Sequence, residues 1–135
     1  MSMTKTTNGL MKVFVADDSA ALRRRLTEMF SLIEGIEVVG EAQDAPEALA
    51  SIRALQPDVV VLDIQMPGGN GIDVLREVKR DYPQTIVVIL TNHADPQYRR
   101  RCMELKADYF LSKSKDSKLL IEIGEELGAA RGKTR

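Results

Sequence analysis

Four consecutive apolar residues, Val59-Val60-Val61-Leu62, lie between Pro57 and Pro67 and run straight into an acid, Asp63. The run is too short for a helix and mostly β-branched, so it reads as a strand buried on both faces of a sheet. The flanking prolines bound its length. A strand of that kind needs helices on both sides of its sheet, which restricts the chain to an α/β architecture. In open α/β sheets ligands bind beyond the carboxyl ends of the strands. Asp63 stands at that end, and Met66-Pro67-Gly68-Gly69-Asn70-Gly71 follows as a Pro/Gly-rich turn.

The rest of the chain repeats the theme. A first strand over residues 11–16 ends in Asp17-Asp18, and Ser19 is placed to cap a helix with Leu22, Leu26, Met29, Phe30 and Ile33 inward, stopped by Gly35. A second strand covers 36–40. Asp44 caps a helix with Pro46 in its first turn and Ala48, Leu49, Ile52 and Leu55 on its inner face. Asn70 caps a third helix carrying Ile72, Leu75 and Val78. A strand over 86–90 ends in Thr91. Asp95-Pro96 opens a helix with Tyr98, Cys102 and Leu105 inward. A last strand over 109–111 ends at Ser112-Lys113, and the final helix sets Leu119, Leu120, Ile123 and Leu127 on one side.

Strands and helices alternate five times, which predicts a parallel sheet with helices on both faces. The expected fold is a flavodoxin-like, doubly wound (βα)5 three-layer sandwich with sheet order 2-1-3-4-5. Residues 1–10 are expected to be a disordered leader, 11–127 the folded domain and 128–135 a tail. In the 2-1-3-4-5 order strands 1 and 3 are neighbours, so Asp17 and Asp18 lie beside Asp63.

Composition narrows the function classes. The 135 residues are 44% hydrophobic and 29% charged, which fits one globular domain. A net charge of -1 supplies no global case for nucleic acid or an anionic membrane as partner. One cysteine, Cys102, excludes an internal disulfide. No apolar stretch reaches membrane-spanning length and no signal-peptide core is present, so the expected location is cytoplasmic. The runs Arg23-Arg24-Arg25 and Arg99-Arg100-Arg101 read as solvated helix faces, because consecutive residues point around a helix.

Three converging carboxylates repel one another and persist only beside a neutralising partner. A hard divalent cation suits them: Mg2+, or Mn2+ in its place, held by Asp17, Asp18 and Asp63. An aspartate is also a competent nucleophile towards phosphorus. Thr91 at the end of strand 4 and Lys113 at the end of strand 5 add a hydroxyl and an ammonium facing the same crevice, so a phosphoryl group on Asp63 would meet metal, hydroxyl and ammonium.

Asp17-Asp18, Asp63 with Met66-Pro67-Gly68 and Gly71, Thr91 and Lys113 together resemble the signature of the CheY-like receiver domain of two-component response regulators. The resemblance covers residues 11–127. It implies phosphorylation of Asp63 by a histidine kinase or histidine phosphotransfer protein, and metal ligation that includes the backbone carbonyl of Gln65. It implies that Thr91 and Phe110 change position on phosphorylation and that helix 4, strand 5 and helix 5 signal to an unknown downstream protein. Catalysis would be limited to the chain's own phosphotransfer and autodephosphorylation, with Gln65 and His93 setting the rate of the latter.

The chain departs from the family pattern at three positions. Ser114 follows Lys113 where proline is usual, Asn92 follows Thr91 where a small residue is common, and Lys106 stands where glycine often ends helix 4. Two other readings stay open. One is an Asp-nucleophile phosphatase of the haloacid dehalogenase type, although Gln65 replaces that group's second acid. The other is a receiver that docks a partner without phosphorylation. Either a stand-alone receiver or a piece of a longer regulator fits the length.

Overall fold

The computed structural model describes residues 9–130. Residues 1–8 of the expected leader and 131–135 of the expected tail lie outside the described residues. The strands are β1 (Met11–Ala16), β2 (Ile36–Ala42), β3 (Val59–Leu62), β4 (Ile86–Thr91) and β5 (Tyr109–Ser112). The helices are α1 (Ala20–Ser31), α2 (Ala45–Leu55), α3 (Gly71–Asp81), α4 (Pro96–Glu104) and α5 (Ser117–Ala130). The five strands form one parallel sheet in the order β2-β1-β3-β4-β5, the expected flavodoxin-like arrangement. A separate two-residue antiparallel pair, Gln65–Met66 with Gly69–Asn70, forms the turn after Asp63.

The period-2 geometry of strands divides the core. Phe14, Ala16, Val60, Leu62, Val87, Ile89 and Phe110 point to one face and pack under α2, α3 and α4. Val13, Val15, Val59, Val61, Val88, Leu90 and Leu111 point to the other and meet α1 and α5. The uninterrupted apolar run of β3 is thereby explained: alternate residues feed two cores, and none faces water.

The caps fall where the sequence places them. Ser19, Asp44 and Asn70 accept backbone N–H groups of Leu22, Glu47 and Ile72 at 3.2, 2.8 and 2.7 Å. Asp95 occupies the N-cap of α4 without a side-chain hydrogen bond.

Several expectations change. α1 stops at Ser31, four residues before Gly35, and Gly35 instead makes the turn into β2 with a φ of 89°. β2 runs two residues beyond Gly40, because Glu41 and Ala42 still pair with Val15 and Ala16. A register shift opposite Val13 and Phe14 makes that extension possible, and the open side of Gly40 is filled by Phe14 and Leu55. Leu55 and Leu119, both expected inward, are exposed. Leu55 sits in the last turn of α2 and only its tip covers Gly40. α5 extends to Ala130, past the boundary expected at residue 127, and Gly128 is buried against the backbone carbonyl of Glu34.

Lys106 adopts a φ of 78°, so the glycine-like turn after α4 is retained without glycine. That conformation lets Ala107 N–H reach the Cys102 carbonyl at 3.0 Å and bury Ala107 beneath the turn. A Cβ in this region costs about 1 kcal/mol. Lys106→Gly is therefore expected to raise the urea midpoint by an amount of that order. A lowered midpoint would show that the lysine is not strained.

Candidate functional site

β1 and β3 are in register with Ala16 opposite Leu62, so the residues that follow, Asp17 and Asp63, emerge side by side. Backbone bonds extend each strand by one step: Asp63 N–H donates to the Ala16 carbonyl at 3.1 Å, and Asp17 N–H to the Ala42 carbonyl at 3.0 Å. Both acids are held almost out of water, 1% and 4% exposed, while Asp18 is exposed at the rim. Asp17, Asp18 and Asp63 each bring a carboxylate oxygen within 4.8 Å of the others.

Lys113 reaches the pair from the far edge of the sheet. Thr91 and Ser112 are register partners, and Lys113 N–H donates to the Thr91 carbonyl at 2.9 Å. This aims the side chain back across β4. Its Nζ lies 2.6 Å from Asp17 Oδ2 and 2.9 Å from Asp63 Oδ2. Burial by itself would lower the Lys113 pKa, but hydrogen bonds and Coulomb attraction to Asp17 and Asp63 outweigh it and hold the ammonium above its usual value. The remaining oxygens are held locally. Ser19 N–H donates to Asp17 Oδ1 at 2.9 Å and Gln65 N–H to Asp63 Oδ1 at 3.1 Å.

Three carboxylates against one ammonium leave the pocket short of neutrality by the charge of one divalent cation. The donor set is hard oxygen only, the chemistry Mg2+ or Mn2+ takes.

Thr91 is fully buried at the end of β4, and its Oγ1 accepts the His93 N–H at 3.0 Å. His93 and Gln65 are exposed beside the pocket, and the His93 ring meets Tyr98 of α4 edge-on at 6.3 Å between centroids. Phe110 is already inward, 4% exposed, with the Arg99 guanidinium 4.9 Å from its ring centroid. The change of position expected of Phe110 on phosphorylation thus starts from a ring that is already packed.

No peptide bond is cis among the described residues. In place of proline, side chains close the loop after β5. Ser112 and Ser114 hydroxyls lie 3.1 Å apart, and Ser112 N–H donates to Asp116 Oδ2 at 2.8 Å.

The solvated reading of the arginine runs fails at Arg23, which is 15% exposed in its side chain and donates to the Asp17 carbonyl and to Glu41, while Arg99 stays exposed with its guanidinium over the Phe110 ring. Nothing in a run of three arginines distinguishes the one that turns inward.

The sequence-family model described as "Response regulator receiver domain" matches residues 13–124. The chain belongs to the response regulator receiver family. Receivers of this family bind Mg2+ at an acidic pocket and take phosphoryl groups from histidine kinases. The receiver is similar to the response regulator GacA of Pseudomonas aeruginosa, 36% identical over 104 residues, covering 77% of this chain and 49% of GacA. It is 37% identical over 121 residues to a protein-glutamate methylesterase/protein-glutamine glutaminase of Methanospirillum hungatei, covering 87% of this chain and 35% of that protein. The receiver thus spans half or less of these relatives' length. Among solved structures, a LuxR-family two-component response regulator from Aurantimonas superposes with a TM-score of 0.81 at 29% identity, covering 90% of this chain and 87% of that one. No helix among the described residues is long and apolar enough to cross a membrane.

Proposed function

We propose that this receiver accepts a phosphoryl group on Asp63 from a phosphohistidine of a histidine kinase or histidine phosphotransfer protein, and signals through α4, β5 and α5 to a downstream protein. The observation that supports it is the meeting of Asp17, Asp63 and Lys113 at three separate strand ends, with Nζ 2.6 and 2.9 Å from the two carboxylates. In the transfer an Asp63 carboxylate oxygen bonds to phosphorus as the donor's phosphorus–nitrogen bond breaks. The electron pair of that bond stays on the imidazole nitrogen, which takes up a proton. Water later cleaves the acyl phosphate, releasing inorganic phosphate and restoring the carboxylate.

Lys113 has three N–H donors, so it can keep Asp17 while turning another N–H to a phosphoryl oxygen. Thr91 Oγ1 accepts from His93 but keeps its own proton for donation to the phosphoryl group. A shift of that hydroxyl therefore carries the His93 backbone with it, and the His93–Tyr98 contact passes the movement to α4. With Phe110 already buried under Arg99, the readout is a repacking of α4 on β5 rather than a swing of the ring. Asp17, Asp18 and Asp63, with the Gln65 carbonyl, would hold Mg2+ or Mn2+. When bound, that ion offsets the negative charge of the phosphoryl oxygens. Gln65 and His93 flank the approach of water and set the phosphoryl lifetime.

Intact-mass measurement after incubation with acetyl phosphate and Mg2+ tests this. One alkali-labile phosphoryl group per chain is expected, absent when the metal is chelated, with a lifetime altered by exchanging Gln65 and His93. A mass unchanged under all conditions would remove the phosphoacceptor reading, and an unaltered lifetime the rate-setting one.

A further inference from the structure

Arg23 is built into the metal pocket from behind. It lies in the first turns of α1, and its guanidinium donates through one terminal nitrogen to the main-chain carbonyl of Asp17 at 2.8 Å and through Nε to Glu41 Oε1 at 2.6 Å. The fork thus ties the end of β1 to the end of β2. The carbonyl it grips belongs to the peptide that joins Asp17 to Asp18. Asp17 has its carboxylate fixed by Ser19 N–H and Lys113, but Asp18 has no side-chain hydrogen bond among the described residues. The peptide gripped by Arg23 is thus the main-chain unit that leads into Asp18, whose carboxylate lies within 4.8 Å of the other two.

We propose that Arg23 is a positioning residue for the divalent cation. It locks the Asp17–Asp18 peptide so that both carboxylates present oxygens together, and Glu41 fixes Arg23 while cancelling its charge. This rests on the phosphoacceptor reading above. Mg2+ tolerates little departure from octahedral geometry, so a slack ligand loop lowers affinity directly. Groups that orient metal ligands are worth about 10- to 100-fold in affinity when removed. The guanidinium suits the task because its planar donors span two acceptors at fixed angles, which an ammonium does not.

Charge and positioning predict opposite results. If Arg23 acted only through its charge, Arg23→Met would tighten Mg2+ binding and Arg23→Lys would leave it unchanged. If it positions the loop, both substitutions weaken binding, Arg23→Lys several-fold and Arg23→Met about tenfold or more. The measurement is calorimetric titration of unphosphorylated chain with MgCl2, at a temperature where circular dichroism shows each variant folded. Arg23→Lys carries the test if Arg23→Met does not fold. Weaker binding by the folded Lys variant supports the assignment, and equal or tighter binding overturns it while leaving Asp63 phosphorylation intact. A wild type that binds no Mg2+ would instead overturn the phosphoacceptor reading itself.

Discussion

Asp63→Asn is expected to abolish phosphoryl incorporation from acetyl phosphate while leaving the fold intact. The amide is a far poorer nucleophile towards phosphorus than the carboxylate it replaces. Asp17 sits behind Lys113 with one oxygen held by Ser19, and Asp18 lies at the solvent rim. The substitution also removes one of three clustered negative charges. The metal-free variant should therefore unfold at no lower temperature than wild type, and the stabilisation that added Mg2+ confers should shrink. Intact mass and thermal unfolding with and without Mg2+ read both effects. Undiminished phosphorylation of the Asn variant would place the acceptor elsewhere.

The second large effect concerns Gly71, the first residue of α3. A Cβ there would stand 2.1 Å from the Asp63 carbonyl oxygen and 2.6 Å from Ile64 Cα. Both are backbone atoms, so no side chain can rotate away. Gly71 N–H also donates to the Ile64 carbonyl at 3.0 Å, which folds the start of α3 tightly over the residue after Asp63. Gly71→Ala must push these segments apart. The expected cost is about 3 kcal/mol, at the severe end for overpacking, read as a lower urea midpoint with unchanged slope. The displaced Asp63 peptide should lower the phosphorylation rate of whatever protein remains folded. An unchanged midpoint would mean that the two backbones are not in contact.

Lys106 and Gly71 also illustrate how much a one-dimensional reading can carry. A glycine in a turn signature and a lysine where a turn wants glycine are both visible in the chain. At Lys106 the turn keeps a positive φ although the residue is not glycine. The consequence at Gly71 depends on which backbone passes overhead. That is set by α3 folding back on the end of β3, and nothing local specifies it.

The same division runs through the site. Asp17, Asp63, Thr91 and Lys113 were legible because each ends an apolar run, and five such runs in alternation with helices admit few sheet orders. The inward Arg23 and the exposed Leu55 and Leu119 were not. Arg23 meets Glu41 and Leu55 covers Gly40 across separate segments, while Leu119 falls on the exposed side of α5.

Taken alone, the order of residues determined the alternation of strands and helices, the two-sided burial of β3 and the acids at its carboxyl end. These follow from short-range periodicity, which every stretch of chain carries within itself. The packed molecule decided the rest: the bulge that carries β2 to Ala42, the arginine that turns inward from a run of three, and the approach of Lys113 Nζ to two carboxylates. Those outcomes depend on which residues from separate segments come within a few ångströms, and steric fit and charge act only at that range.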